Sequence, residues 1–502
     1  MRAELEDTYI KGIRYIHKGI MNKTIYLLLF LLCSTVSHAQ VTARVEFPYR
    51  EYKDTYTTPM GEHGVLEQQF DKKTQNDKRW FKIQHYNTNL ELVATDSMLI
   101  SKDMGLYTWK SDGEVCYTIL RESDDSFLIV AYNTNTHKTK VVEGEYTHKG
   151  SMRSICIENG YLVFSSTQKK TERIGIVNLK NGDTKYSDIH IDGVRDKKIF
   201  ILENTIIDDE INSLVKVEDE VYLMRFGLDG STHSRIPLTK DIDEYICNAS
   251  VSKSDGKYFL TGTYTNKKDG MAQGIYFAQL EGDKFKFIKF YNFLNLKNFT
   301  EYMSSKKKAK VERRKEKAEK KGKEYSLNYL IASHKIMAEN GYYYYLGEAY
   351  YPTYSTTRDA FGGVYTMFSG YFYTHAVLVK FDNQGNIVWD NCFKMEPREK
   401  PFSVRRFVSV SLKGDNVSTV FTDGKRLTSK LFRNSDGEVV KDRNTEIMDT
   451  TGDGESIKRA RYTNSMHWYD ENFIVHGNQT VKNDKTNERR RVIYISKYSI
   501  KE

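Results

Sequence analysis

The runs Ser154-Ile155-Cys156-Ile157-Glu158, Tyr161-Leu162-Val163-Phe164-Ser165-Ser166, Ile174-Gly175-Ile176-Val177-Asn178-Leu179 and Thr184-Lys185-Tyr186-Ser187-Asp188-Ile189-His190-Ile191 decide how this chain is read. Each is short, rich in β-branched and aromatic residues, and bounded by polar or glycine-containing turns, which is the pattern of half-buried strands. Four such strands make one antiparallel sheet. A sheet this small cannot cover both its faces, so like units must stack on either side of it.

The same unit recurs along the chain. Its third strand reads Trp80-Phe81-Lys82-Ile83, Phe127-Leu128-Ile129-Val130, Arg173-Ile174-Gly175-Ile176, Val221-Tyr222-Leu223-Met224, Ile275-Tyr276-Phe277-Ala278, Ala376-Val377-Leu378-Val379, Thr428-Ser429-Lys430-Leu431 and Val492-Ile493-Tyr494-Ile495. Most copies end in an Asn or Gly turn: Tyr86-Asn87-Thr88-Asn89, Tyr132-Asn133-Thr134-Asn135, Asn181-Gly182, Asp229-Gly230, Gln384-Gly385 and Asp436-Gly437. Such residues supply the positive φ of tight hairpins. The step from Tyr86 to Tyr132 is 46 residues and that from Phe381 to Phe432 is 51. A period of this size with four strands per unit predicts an all-β β-propeller. Eight copies predict eight blades of four antiparallel strands, with seven as the alternative; a β-sandwich or two small β-domains would lack the fixed period. The last copy leaves no room for a fourth strand, and the alternating run Val41, Ala43, Val45, Phe47 is suited to fill that place and close the ring. A single domain is expected over 41–502, with insertions at 300–325 and 350–373.

Composition agrees. The chain has 502 residues, 39% hydrophobic and 13% aromatic, with 36 tyrosines and 6 prolines. That excludes a disordered or collagen-like chain, and the mean hydropathy of −0.62 suits many half-exposed strands. Met21-Asn22-Lys23, the apolar run Ile25–Cys33 and Ser37-His38-Ala39 before Gln40 form a secretory signal with a small-x-small cleavage site. Residues 1–39 are therefore read as an upstream extension plus leader, with Met21 as the start. The apolar run falls short of the roughly 20 residues that cross a bilayer, and Leu32 stands before Cys33 where a lipoprotein needs a small residue. No transmembrane segment is expected in the mature chain, which is placed in the periplasm or outside the cell. Cys116, Cys156, Cys247 and Cys392 remain after cleavage. They have neither zinc nor redox spacing and read as small buried hydrophobes, with Cys116–Cys156 as the one pairing that adjacent blades would permit.

His375-Ala376-Val377-Leu378-Val379-Lys380-Phe381-Asp382-Asn383-Gln384-Gly385-Asn386-Ile387-Val388-Trp389 resembles the repeat of secreted bacterial β-propeller proteins: an apolar strand, a Lys-Phe/Leu-Asp end, a glycine turn and Ile-Val-Trp. The whole chain also resembles an uncharacterised family of exported proteins of Gram-negative bacteria. This resemblance implies fold and location and no activity.

Two insertions interrupt the sixth unit. Lys306–Lys323 holds Lys306, Lys307, Lys308, Lys310, Arg313, Arg314, Lys315, Lys317, Lys320, Lys321 and Lys323 against three glutamates, so it carries +8 of the chain's formal +9. Lys308/Glu312, Glu316/Lys320 and Glu319/Lys323 stand four apart, Ser304 or Ser305 is placed to cap, and Gly322 to stop a helix. With almost no apolar stripe, this helix is expected to project into water before the sixth unit and to offer a polyanion contact through Lys306 to Lys317. The second insertion, 350–373, carries Tyr350, Tyr351, Tyr354, Phe361, Tyr365, Tyr371 and Tyr373. Pro352 is expected to break any strand there, leaving an aromatic excursion that presents flat faces to sugar rings or anchors to a protein. In up-and-down blades both insertions emerge on one face.

No GxSxG, HExxH or phosphate-binding glycine loop occurs. Asp449–Glu455 looks like a calcium turn, but Ala460 occupies the closing ligand position, so no metal and no cofactor are assigned. His334 and His467 fall on innermost strands, placed to line the axis. No catalytic residue is assigned. The expected function is an exported, non-catalytic propeller binding a glycan, envelope component or protein partner through its insertion-bearing face. Nucleic acid is the least favoured partner. The alternatives are a glycan- or peptide-cleaving propeller with carboxylates near the channel, and a structural subunit of an envelope assembly.

Overall fold

The computed structural model describes residues 40–49, 52–122, 126–145, 151–240, 242–359, 361–450, 452 and 454–500. The expected leader lies outside them, as do Thr451 and Asp453 of the calcium-like turn. The fold is all-β. Eight antiparallel sheets follow one another, over 52–101, 105–145, 153–188, 199–237, 245–292, 330–394 and 409–447, the eighth combining 455–499 with Gln40–Pro48. The first seven have four strands in sequential order, the sixth adding the short piece Met337–Glu339, and in the eighth Gln40–Pro48 takes the place after the third strand. All eight recurrent tetrapeptides fall on third strands. This is the strand organisation of propeller blades.

Gln40–Pro48 pairs antiparallel with Arg489–Ser499, setting Val45 opposite Ile495 and Phe47 opposite Ile493. The eighth sheet also packs on the first. Phe47, Val65, Tyr86, Trp468, Ile474 and Ile495 share one apolar cluster, and Trp468 Nε1 donates to Gly64 O at 2.7 Å.

Apolar residues of successive sheets meet face to face, and this is where the core sits. Phe259 and Phe277 of the fifth sheet pack on Tyr343, Tyr345 and Phe381 of the sixth; Tyr344, Leu346 and Trp389 of the sixth pack on Phe421 and Phe432 of the seventh. Each such side chain contributes about 1.5–3 kcal/mol by leaving water. Polar side chains stitch the same junctions. Glu348, fully buried on the sixth sheet, accepts from Phe407 N and Val408 N of the segment entering the seventh, at 2.9–3.0 Å. Glu203 accepts from Val251 N across the fourth–fifth junction at 3.2 Å. First strands carry bulges, as between Leu106 and Thr108, Ile201 and Glu203, and Ile246 and Asn248, which turn the following side chains off the regular alternation.

Several local expectations change. Gly182, Gly230, Gly385 and Gly437 take positive φ as expected, but in the first two turns the left-handed residues are Leu90 and His137. There Asn87 and Asn133 act through their side chains, each Oδ1 accepting two backbone N–H groups. Cys116 and Cys156 are both free and pack in different clusters, so the permitted disulfide does not form. Pro352 does not break the strand. Tyr342–Arg358 and Val364–Phe381 pair along one long hairpin, and the proline sits at a register shift between Pro352 and Tyr354, where a missing N–H is tolerated.

Candidate functional site

The sixth sheet's second and third strands run on past the blade as an arm, from about Tyr350 to Tyr373. Tyr351, Tyr354, Phe361 and Tyr365 are exposed along it, Phe361 at 99%. Tyr350 and Tyr371 are half-buried at its root, with ring centroids 5.2 Å apart. Tyr373 was expected to meet ligand. It is instead wholly buried, its hydroxyl donating to Arg405 O at 2.6 Å and accepting from Arg405 N at 2.9 Å. Its place in the strand alternation turns it into the junction with the seventh sheet.

The arm leans on the segment that leads into the seventh sheet. Tyr371 N donates to Pro401 O at 2.8 Å, and Phe368 meets Phe402 edge to face, with centroids 5.9 Å apart. Gly370 takes φ +98°, and a Cβ there would stand 2.4 Å from Lys400 O. Only glycine allows that approach.

The basic insertion forms helix α1, Ser305–Glu319, with no buried residue. Gly322 at φ +62° ends it, and Lys323 N bonds Ala318 O at 3.0 Å. Ser304 holds the N-cap position without a side-chain cap bond. The three expected i,i+4 pairs are not among the ion pairs of the described residues. Lys308 reaches back to Glu301 at 2.7 Å instead, and Arg314 Nη1 meets Tyr325 Oη at 3.5 Å. Arg313 Nε donates to Ala309 O at 3.3 Å, while Lys306, Lys307, Lys310 and Lys317 are exposed. Both ends of the excursion are rooted beside the arm: Tyr302 stacks on His375 with centroids 3.7 Å apart, and the returning chain pairs Leu330 with Tyr350.

A cavity of about 510 Å³ lies where the first strands of the second to sixth sheets meet the segment entering the seventh. Lys110, Lys335, Arg405 and Arg406 line it, with Glu203 as its one carboxylate. Glu203 is held by Lys335 at 3.2 Å. Burial, then the like charges of Lys335 and Arg406, push the Lys110 ammonium below its ordinary pKa. The arrangement favours an anion, and a carboxylate pair for glycoside hydrolysis is not formed in this lining. His334 does line the cavity, yet its Nε2 is committed to Glu348 at 2.8 Å. His467 is not among the lining residues; its Nε2 bonds Asp470 O at 2.9 Å. The four cavity cations escaped sequence reading because bulges and loop paths, not spacing, bring them together. Among the described residues no group of three or more His, Cys, Asp or Glu is placed to hold a metal ion, and no helix is long and apolar enough to cross a membrane.

No family model and no curated protein matches the chain. Solved structures similar to it include dihydro-heme d1 dehydrogenase NirN in complex with DHE (TM-score 0.42, 10% identity, 91% of this chain and 79% of that one). Others are the Dos1 propeller (0.39, 8%, 79% and 94%) and apo AztD from Citrobacter koseri (0.38, 9%, 85% and 98%). At these scores the fold is read from the order of this chain's own eight sheets.

Proposed function

We propose that this chain is an exported, non-catalytic β-propeller whose eight sheets close into a ring through Gln40–Pro48. It binds an anionic component of the cell envelope, a glycan foremost, through the face that carries the arm and α1. The observation that carries this reading is unneutralised charge: Lys306, Lys307, Lys310, Lys315 and Lys317 have no ion-pair partner among the described residues. A helix with no buried residue adds little to stability, and concentrated like charge costs free energy unless an anion meets it. The exposed rings of Tyr351, Tyr354, Phe361 and Tyr365 supply flat apolar faces rooted beside that charge. Export rests on the leader-like sequence and on the repeat resemblance at 375–389.

Replacing Lys306–Lys323 with a short Gly-Ser linker tests the role of α1. The wild-type chain is expected to bind acidic envelope extracts in a manner that weakens as salt rises from 50 to about 500 mM, where the screening length shortens to a few ångströms. The linker variant is expected to lose that salt-sensitive component. Unchanged binding with an unchanged salt response removes α1 from the function.

A further inference from the structure

A second basic feature lies in the eighth sheet, outside both insertions. Arg461 pairs with Asn478 and Asn464 with His476, so Tyr462 and Thr463 together oppose the single residue Gly477. This is a β-bulge, and Tyr462 adopts φ +53° in it, a left-handed conformation that L side chains other than Asn and Asp seldom take. The ring is not buried in exchange for that strain; it is 70% exposed. A strained, exposed aromatic residue points to use rather than packing.

Tyr462 is the wall common to three hollows, of about 680, 650 and 140 Å³. The smallest is lined by Arg459, Arg461, Arg491 and the polar Asn478 and Thr480, without a carboxylate. The largest adds Lys425 and Arg426, and its two carboxylates, Asp423 and Glu399, are paired with Arg398 and Arg405. None of Arg459, Arg461, Arg491, Lys425 and Arg426 has an ion-pair or side-chain hydrogen-bond partner among the described residues, whereas Arg398 and Lys458 nearby are matched by Asp423 and Asp484.

We propose that the Tyr462 bulge is a subsite for an acidic carbohydrate, a sugar bearing carboxylate or sulfate. The pyranose face lies on the tyrosine ring, and its acidic group takes the planar forks of Arg459, Arg461 and Arg491, which match such oxyanions two bonds at a time. Asn478 and Thr480 meet hydroxyl groups. One projecting ring beside amide and hydroxyl groups suits a polyhydroxylated ligand better than a nucleic-acid strand, which needs a succession of stacking rings. The inference rests on the reading of the protein as an envelope-glycan binder and assigns that ligand a class and a place.

The test uses the full chain against polygalacturonate, dextran sulfate, uncharged dextran and an oligothymidylate. Wild type is expected to bind one or both acidic polysaccharides, the pair telling carboxylate from sulfate, and to ignore dextran. Tyr462→Gly removes the ring and suits the left-handed backbone, so it should weaken binding at least tenfold without lowering the thermal midpoint. Arg459→Gln with Arg461→Gln should do the same, and Tyr462→Phe should bind like wild type. No binding to either acidic polymer, binding by the Gly and Gln variants as tight as wild type, or tighter binding to the oligonucleotide overturns the subsite. Binding that survives replacement of α1 but not Tyr462→Gly upholds the subsite while removing the role of α1; the converse overturns the subsite alone.

Discussion

Two buried ionisable side chains show how single residues couple this fold to pH. Glu67 is fully buried with Thr57 Oγ1 donating to its Oε2 at 2.7 Å, and burial raises its carboxyl pKa from 4.5 to about 8. The folded state therefore holds a proton that the unfolded chain releases above its own value. Its contribution to stability is complete below pH 4.5 and is lost as pH rises toward 8, by about 1.4 kcal/mol per pH unit. Glu67→Gln has nothing to release. Its stability relative to wild type should climb across that window, as read from urea midpoints at pH 5 and pH 8; a difference that stays constant would refute the assignment. His375 works in the other direction. Burial against Phe299, Tyr302 and Tyr329 lowers its pKa from 6.5 to about 3, so its neutral form costs stability only below about pH 6.5 as the unfolded chain takes up a proton. Neither residue is distinguishable in the sequence from an ordinary surface Glu or His, because their burial depends on neighbours distant along the chain.

Among elements, the arm and α1 are built on opposite principles. The arm is a continuous pair of strands held to the next sheet's entry segment through Tyr371, Tyr373, Phe368 and the glycine approach at Gly370. Gly370→Ala puts a methyl group against the Lys400 carbonyl and forces a side chain into φ +98°. It should free the arm from that segment while leaving the sheets intact: hydrogen exchange should accelerate over 350–373 with the thermal midpoint of the whole chain moving by less than about 4 °C. Unaltered exchange would mean that the contact does not hold the arm. The aromatic content of the arm was plain in the sequence. Its strand character was not, because Pro352 normally stops a ladder, and only the register shift beside it explains how the pairing resumes. For α1 the reverse holds. Charge run, stop glycine and absent apolar stripe are all local, and the helix appears at Ser305–Glu319; only its ion pairing differs, since Glu301 lies nearer to Lys308 than a helix wheel foretells.

For the whole molecule, the junction between the first and last described strands is the decisive contact. Gln40–Pro48 covers the edge of Arg489–Ser499, and Phe47 joins the cluster that packs the eighth sheet on the first. A chain beginning at Tyr49 would expose that edge and remove Phe47, so it should unfold at a lower midpoint with reduced cooperativity and should self-associate through the open strand. Light scattering and a urea titration would check this; a monomer with the full midpoint would show that the pairing is dispensable.

What the sequence determined by itself was periodic or local. Eight third strands, the glycine turns at Gly182, Gly230, Gly385 and Gly437, the N-terminal strand's alternation and the basic helix all follow from patterns a few residues wide, because strand alternation and helix charge are properties of neighbours in the chain. What the tertiary structure decided was convergence. Lys110, Lys335, Arg405 and Arg406 come from separate segments to one cavity, Tyr373 turns inward while Tyr354 stays out, and Tyr462 is lifted by a bulge that no motif announces. Bulges and junction packing depend on how one sheet settles against the next, and that information is held in the contacts between sheets rather than in any single stretch of residues.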